Sequence, residues 1–284
     1  MAPSLRVQIF LLRRGMPPKR NSPWLPTVCS SNTENSSADW RCDHGWAELD
    51  EPDPSEVQSF MADAARALES SADFTRGGGA PAPDHDASEQ TRSERVAKEQ
   101  RLLLEWARTN GRLSRNVGFP EWARGGEHSV FFSKAKSRYY KVTLPSKHKG
   151  YGIALGSYSR GATPSEYLVR CLLQNELFND DIRIERVFEN GGFPRIVISQ
   201  PALEGEHPPQ SEIDEMMIAG GYVRVAEGAY YQVSRGLLVF DLFPRNALKM
   251  RTGQLCPFDP VIQLVDREFA EFLITHPETI NRAW

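Results

Sequence analysis

Three polar residues in the last fifth of the chain have the types and spacing needed to bind a metal ion and activate a hydroxyl group. Asp241 is followed five residues later by Asn246, and Asp259 comes thirteen residues after Asn246. A carboxylate and an amide on one tight loop can bracket a reacting oxygen and a metal ion, and an apolar hairpin can return the second carboxylate from the other side. The segment therefore predicts phosphoryl transfer, with Asp241 orienting the attacking hydroxyl and the other two residues holding Mg²⁺ on nucleotide phosphates.

The loop around Asp241 resembles a known type of catalytic loop. From Asp241 to Leu248 it reads Asp-Leu-x-Pro-x-Asn-x-Leu, which is similar to the loop of aminoglycoside-type small-molecule kinases and of protein kinases. With the segments upstream, over roughly residues 120–264, the chain resembles the small serine/threonine/tyrosine kinase-like domain found in polyvalent proteins of phages and conjugative elements. The resemblance implies a kinase-like fold, ATP with Mg²⁺ or Mn²⁺ as cofactors, and a mobile-element setting.

The resemblance also implies roles for residues upstream of the loop. Lys141 occupies the position of the strand lysine that pairs with the α- and β-phosphates, and Gly125 and Gly126 precede it like a loop that covers the phosphates. Glu166, early in the next helix, would orient Lys141 by an ion pair, and Gln200 would lie in the connector whose backbone contacts adenine. The implied catalytic residues are Asp241, Lys141 and Glu166. The implied cofactor-binding residues are Gly125, Gly126, Lys141 and Gln200, and the implied metal-binding residues are Asn246 and Asp259.

Each of these residues also fits an ordinary structural role, and both interpretations stay open at this point. Glu166 follows Thr163 by three residues with Pro164 between them, which is the arrangement of a helix-capping box. Glu176, on the same helix, is then the alternative partner of Lys141. The lysine could be a solvated strand residue, and the aspartates and asparagine could be turn residues beside prolines. The joint order of the residues favours the catalytic interpretation.

Several features depart from the kinase pattern. Gly125 matches only one of three glycines expected in the phosphate loop, and Val-Phe stands at residues 239–240 where His-Arg or His-Gly is usual. Asp259 is followed by Pro-Val, which loses a flexible glycine. Tyr139 shares the face of Lys141 by strand alternation, so its phenol would take the place of a small adenine-covering side chain. Only 25 residues follow Asp259, too few for a peptide-holding platform, so peptide specificity is not predicted.

Three functions are compatible with these residues. The first is an ATP- and Mg²⁺-dependent phosphotransferase that transfers the γ-phosphate to a hydroxyl group of an unidentified protein or small molecule. The second is a catalytically silent kinase-like module that binds nucleotide or a partner, which the sparse glycines and Tyr139 favour. The third is an unrelated α+β binding protein in which the motif arises by chance. The intact set of residues favours the first function.

The elements that would position these residues form an α+β pattern. Residues 113–200 contain hairpin-like strand runs around a capped helix, and residues 201–284 contain a helix and short apolar strands. We therefore predict a compact, two-lobed, kinase-like fold with an N-lobe at 113–200, a short C-lobe at 201–284 and a hinge near residues 200 and 201.

Two further segments precede these lobes. Residues 1–87 are rich in proline and serine and predict a largely disordered tail with one short helix, which could dock on the main domain or bind a partner. Trp24, Trp40 and Trp46 in this tail are not explained by either role. Residues 88–112 are charged, carry apolar residues on one face and contain Gly111 as a stop signal, which predicts an amphipathic helix.

Composition excludes several classes of protein. The 34 basic and 37 acidic residues give a net charge of −3 and a pI of about 6.1, without the basic surplus that a nucleic-acid partner would require. No apolar run approaches the roughly 20 residues needed to cross a bilayer, so no membrane is expected. The four cysteines are far apart, form no zinc-binding spacing and fit a cytoplasmic protein. The apolar run at residues 5–12 precedes its charges, unlike a secretory signal.

Overall fold

The computed structural model describes residues 61–65, 85–114, 123–145, 150–155, 159–190 and 193–281. All of them belong to one compact unit, His44–Trp284. The predicted tail over residues 1–87 falls largely outside the described residues. Within it, residues 61–65 are helical, with Met61 and Ala64 buried in the main core, in agreement with the short helix predicted there.

The amphipathic helix predicted over residues 88–112 is present as α1 (His85–Thr109). Its apolar face contributes Leu103, Trp106 and Ala107 to the main core. The helix stops at Gly111, whose φ of +65° is a left-handed conformation that glycine adopts without strain. The chain can therefore turn directly into the first strand.

The first half of the fold is built on a six-stranded sheet. Its strands are β1 (Leu113–Ser114), β2 (Ala123–Arg124), β3 (His128–Ser133), β4 (Arg138–Thr143), β7 (Arg183–Asn190) and β8 (Phe193–Pro201). They are arranged in the order β1-β7-β8-β4-β3-β2. A separate small hairpin consists of β5 (Ile153–Leu155) and β6 (Ser159–Gly161). The hairpins predicted from strand-like runs on either side of short turns are thus present as β3–β4 and β7–β8.

Helix α2 (Pro164–Phe178) covers one face of this sheet. It begins with a complete capping box, in which the Thr163 hydroxyl accepts the Glu166 N–H and the Glu166 carboxylate accepts the Thr163 N–H. One face of the helix packs Tyr167, Leu168 and Cys171 against isoleucines of β7 and β8. Helix α2 therefore lies on the same side of the sheet as Lys141 of β4.

The second half is built on a four-stranded antiparallel sheet in the order β14-β11-β10-β9. Its elements are α3 (Gln210–Ala219), β9 (Val223–Ala226), β10 (Ala229–Gln232), β11 (Leu237–Phe240), β12 (Ala247–Lys249), β13 (Leu255–Pro257), β14 (Val261–Leu264), α4 (Arg267–Thr275) and α5 (Glu278–Asn281). Strands β12 and β13 form a separate hairpin. Because β8 runs to Pro201 and α3 begins at Gln210, the predicted lobe boundary between residues 200 and 201 remains an interpretation.

Strand β11 lies inside the second half, and all four of its residues are buried. An unbroken apolar run is typical of a strand that is covered on both faces. It contributes Val239 to one apolar cluster and Phe240 to another. None of the helices in the described part of the chain is long and apolar enough to span a membrane.

Candidate functional site

The strand ladder between β11 and β14 brings the two aspartates together. Phe240 at the end of β11 pairs with Val261 at the start of β14, so Asp241 and Asp259 leave the ladder at the same end. Paired residues in antiparallel strands have Cα atoms about 5 Å apart. Their charges also interact, since Asp259 helps to raise the pKa of Asp241. The structure therefore gathers the two carboxylates predicted to act together.

The loop after β11 is held in place by backbone contacts. The Leu242 N–H donates to the Gly228 carbonyl over 3.0 Å. Gly228 has a φ of +64°, and a Cβ atom at this position would lie 2.9 Å from the Phe243 ring, so a larger residue would displace the loop. The Asn246 amide donates to the Asp241 carbonyl over 2.8 Å. Asp241 itself adopts a φ of +56°, a left-handed conformation that aspartate tolerates.

Lys141 meets Asp259 across the two halves of the fold. Its Nζ lies 3.3 Å from Asp259 Oδ1 and 3.4 Å from the Phe258 carbonyl, and the lysine side chain is only 13% exposed. The β4 register places Lys141 between Val130 and Ile198, on the face that α2 covers. The structure thus brings together the predicted phosphate-binding lysine and the predicted metal-binding carboxylate.

The predicted ion pair between Glu166 and Lys141 is not formed among the described residues. Glu166 closes the capping box of α2 with Thr163 and binds Arg92 of α1 at 3.2 Å. It therefore lies at the helix start, with its carboxylate directed toward α1. The alternative partner, Glu176, is also wrong, because it is exposed and pairs with Arg235 at 2.6 Å.

Arg170 occupies the region where an acidic helix residue was expected. Its Nη1 lies 2.9 Å from Glu127 Oε2, its Nη2 lies 3.5 Å from Asp259 Oδ1, and its Nε donates to the Pro260 carbonyl over 3.0 Å. Arg170 was not predicted from the sequence, because the kinase pattern has an acidic residue on this helix. A detectable signal was its position four residues after Glu166, one helical turn along the same face.

Two opposite pKa shifts distinguish the aspartates. Burial alone would raise the pKa of Asp259, but the positive charges of Lys141 and Arg170 outweigh it and hold that pKa well below the usual range. Burial, aided by the charge of Asp259, raises the pKa of Asp241 to about 6, although Arg245 lies 2.7 Å from its carboxylate. Asp259 is therefore fully ionised near neutral pH, and Asp241 is close to the pKa that suits a general base.

The predicted phosphate loop is the turn between β2 and β3. The Gly125 N–H donates to the His128 carbonyl over 2.8 Å. Neither Gly125 nor Gly126 has a positive φ, and a Cβ atom at Gly126 would meet no described atom within 4 Å. The fold itself does not require glycine at Gly126. His128 is buried against the Tyr167 hydroxyl, and burial lowers its pKa to about 4, so it is neutral near pH 7.

Gln200 and Tyr139 lie beside each other in the register of β8 and β4. The Gln200 side chain is buried and donates to the Phe258 carbonyl over 3.0 Å, which leaves its predicted adenine contact as a prediction. Tyr139 lies two residues before Lys141 on β4, so both side chains are on the same face of the sheet. The centroid of the Tyr139 ring is 5.0 Å from that of Phe132. The phenol therefore lies on the face that the sequence indicated.

The predicted metal-binding residues provide oxygen donors. The contacts of Asp259 with described side chains all go through Oδ1, so Oδ2 is available. The Asn246 amide nitrogen donates to the Asp241 carbonyl, which leaves the Asn246 amide oxygen as a possible metal ligand. No group of three or more His, Cys, Asp or Glu residues gathers in the described ranges to form a complete metal site. This donor set fits Mg²⁺, which is bound through one or two protein oxygens together with substrate phosphates.

A strand lysine paired with one aspartate, and a second aspartate followed five residues later by asparagine, define a kinase-like site on an α+β kinase-like fold. The chain belongs to the family described as Serine/Threonine/Tyrosine Kinase found in polyvalent proteins, which it matches over residues 96–266, more than half of its length. The family resemblance found in the sequence is thereby confirmed. No curated protein and no solved structure matches the chain closely enough for comparison.

Proposed function

We propose that this chain is an ATP- and Mg²⁺- or Mn²⁺-dependent phosphotransferase that transfers the γ-phosphate to a hydroxyl group. Lys141 and the turn at Gly125 and Gly126 bind the phosphates, while Asn246 and Asp259 hold the metal ion. The metal ion supplies neutralisation of phosphate charge when bound. The acceptor is a hydroxyl group of a protein or a small molecule.

The contact between Lys141 and Asp259 is the observation that carries this proposal. These residues are 118 positions apart, yet their side chains lie 3.3 Å from each other. Burying a lysine to 13% exposure costs free energy unless its charge is paired. A lysine that binds phosphate and a carboxylate that binds the metal ion are two of the parts that phosphoryl transfer uses, and this contact places both in one site.

The proposed reaction needs one proton acceptor, and Asp241 can provide it. The acceptor oxygen forms a bond to the γ-phosphorus, the bond from that phosphorus to the β–γ bridging oxygen breaks, and ADP leaves. The hydroxyl proton passes to the Asp241 carboxylate. A pKa of about 6 leaves this group mostly ionised at pH 7 and still basic enough to accept a proton. Arg245 binds Oδ1 of the same carboxylate, which leaves Oδ2 to receive the proton.

The family description supports the setting of this activity. Kinases of this family are found in polyvalent proteins, which supports a mobile-element context. Within the same proposal we place the activity in the cytoplasm, where ATP is available and where an unpaired cysteine such as the buried Cys171 stays reduced.

Lys141→Met is expected to reduce transfer by at least about 100-fold, because it removes the cation that faces the phosphates. The assay follows ATP hydrolysis and self-phosphorylation with γ-labelled ATP and Mg²⁺ or Mn²⁺. Lys134→Met is the matched control, since Lys134 is an exposed lysine in the turn after β3, and it should retain the parental rate. Equal rates for the two variants would contradict the proposal.

A second candidate is a catalytically silent kinase-like module, which the position of Tyr139 favours. Its ring lies on the face of Lys141, where an adenine ring would approach. If the parental chain shows no transfer, the melting temperature with Mg²⁺ and ATP separates the cases. A rise of several degrees supports nucleotide binding without catalysis, and an unchanged value excludes nucleotide binding.

Glu166→Gln is expected to leave the transfer rate within about twofold of the parental rate, because glutamine can still complete a capping box. Thr163→Ala, which removes the other half of the box, should lower the free energy of unfolding by about 1 kcal/mol. Transfer rates per folded protein and urea unfolding check both results. A loss of 100-fold or more in Glu166→Gln would restore the catalytic role that the sequence suggested.

A further inference from the structure

Arg170 is the most completely engaged side chain of the site. All three of its guanidinium nitrogens have partners: Nε donates to the Pro260 carbonyl, Nη1 binds Glu127 and Nη2 binds Asp259. The side chain is 8% exposed. Because the guanidinium is planar and rigid, three contacts in different directions fix the relative positions of all three partners.

Glu127 is held so that it can face Arg170. Its Oε1 accepts the Ile153 N–H over 2.9 Å, and its Oε2 lies 2.9 Å from Arg170 Nη1. Gly152 beside it has a φ of +126°, and a Cβ atom there would lie 3.1 Å from Oε2. Gly152, which immediately precedes β5, therefore leaves room for this carboxylate. The carboxylate connects the turn between β2 and β3 to helix α2.

The segment that carries Asp259 is held from both sides. Arg170 binds the Asp259 carboxylate and the next carbonyl, at Pro260. Lys141 and Gln200 both donate to the preceding carbonyl, at Phe258, over 3.4 and 3.0 Å. Pro260 and Val261 follow Asp259, so the flexible glycine that is usual two residues after this aspartate is missing. The fold therefore restrains the carboxylate through its neighbours as well as through its own oxygens.

The pairing of Arg170 with Glu127 also reduces the electrostatic repulsion between Arg170 and a metal ion bound by Asp259. A second cation beside a carboxylate repels a divalent metal ion that binds the same carboxylate. Glu127 cancels the charge of Arg170 at 2.9 Å, so the pair can hold Asp259 without adding net positive charge next to the metal position. A salt-bridged pair of this kind gives orientation more than stability.

We propose that Arg170, neutralised by Glu127, is the positioning residue for the metal-binding carboxylate of Asp259. This inference rests on the proposed function. In the kinase pattern a helix carboxylate orients the strand lysine; here a helix cation orients the aspartate, and the lysine is oriented by that same aspartate. The turn between β2 and β3 is thereby coupled to the metal position through the side chains of Glu127 and Arg170.

Arg170→Lys tests the proposal, because lysine keeps the charge but cannot supply three donors in a planar fork. Removing such a supporting contact typically costs roughly 10–100-fold in metal affinity or activity. We expect kcat to fall by at least about 10-fold and the half-saturating Mn²⁺ concentration to rise by a similar factor, with KM for ATP within about threefold. Binding of Mn²⁺ is measured separately from activity, by the rise in melting temperature with Mn²⁺ at fixed ADP.

Glu127→Gln is the second variant, and it remains informative if Arg170→Lys folds poorly. Glutamine preserves the size and the contact with Ile153, but it removes the Glu127 charge and leaves Asp259 as the carboxylate that faces Arg170. The half-saturating Mn²⁺ concentration should therefore rise, while kcat at saturating Mn²⁺ falls much less. Arg183→Lys is the matched control, since Arg183 binds Asp181 in a similar fork outside the proposed site, and it should change neither quantity.

The outcomes separate the two proposals. An active parental chain in which both variants bind Mn²⁺ and turn over like the parent, per folded protein, would overturn the role of Arg170 alone. A parental chain without transfer and without a Mn²⁺-dependent response to ADP would overturn the proposed function and this inference together. Losses in melting temperature without a change in Mn²⁺ requirement or kcat would reduce Arg170 to a structural residue.

Discussion

Replacing Asp259 with asparagine is expected to abolish phosphoryl transfer, by roughly a thousandfold or about 4 kcal/mol of barrier, and also to destabilise the fold. Lys141 and Arg170 share this carboxylate and are only 13% and 8% exposed. A neutral amide leaves both cations without their common counter-ion. Because the Asp259 side chain is 40% exposed and solvent screens its charge, the free energy of unfolding should fall by about 1 kcal/mol. Urea unfolding and the γ-labelled ATP assay measure the two effects.

The effect of Asp259 on stability should depend on pH in a defined direction. Because the folded-state pKa of Asp259 is lowered, its contribution is present above its unfolded pKa of about 4 and is lost as the pH falls through the folded-state value. The difference in the free energy of unfolding between the parent and Asp259→Asn should therefore shrink as the pH falls. Asp266→Asn is the control, because Asp266 caps α4 and asparagine caps equally well. An Asp259→Asn variant with parental stability and rate would contradict the arrangement.

Asp241→Asn is expected to abolish transfer to a similar extent and yet to stabilise the fold at neutral pH. The Asp241 side chain is 14% exposed, and burial raises its pKa to about 6. Keeping such a group ionised at pH 7.5 costs about 3 kcal/mol, which a neutral amide avoids. Asparagine also tolerates the left-handed backbone at this position, where φ is +56°.

The stabilisation by Asp241→Asn should appear over a limited pH window. With a folded-state pKa above the ordinary 3.8, the parental chain is favoured below about pH 4 and loses that stability as the pH rises through about 6. The gain of the variant should therefore be small at pH 4 and constant above about pH 7. Urea unfolding at three pH values measures it, and a destabilised or active variant would exclude Asp241 as the base. The same chemical substitution at Asp259 acts in the opposite direction and serves as internal control.

Local patterns were sufficient to predict the elements of the fold. Two strand-like runs around the polar turn at residues 134–137 predicted the hairpin of β3 and β4, and Thr163-Pro164 predicted the start of α2. Both signals depend on neighbours within one turn or strand. The unbroken apolar runs also predicted β11 and β14. Because the first run ends next to Asp241 and the second begins two residues after Asp259, the convergence of the two aspartates could be anticipated as soon as the two strands were taken to pair.

The partners of the helix residues could not be predicted in the same way. Glu166 and Arg170 lie one turn apart on the same face of α2, so periodicity alone cannot say which of them reaches Asp259. Packing decides it: α1 supplies Arg92 to Glu166, and the loop before β3 supplies Glu127 to Arg170. Both partners come from segments distant in sequence, for which no local pattern specifies the contact.

The pairing of Phe240 with Val261 has a consequence for recognising related sites. The distance between the two aspartates in space is set by the ladder of β11 and β14, whereas their distance along the chain is set by the β12–β13 hairpin, whose turn lies at residues 250–254. These two distances are independent of each other. A search for this site in other sequences should therefore keep the apolar strands and their flanking aspartates constant and allow the number of intervening residues to vary.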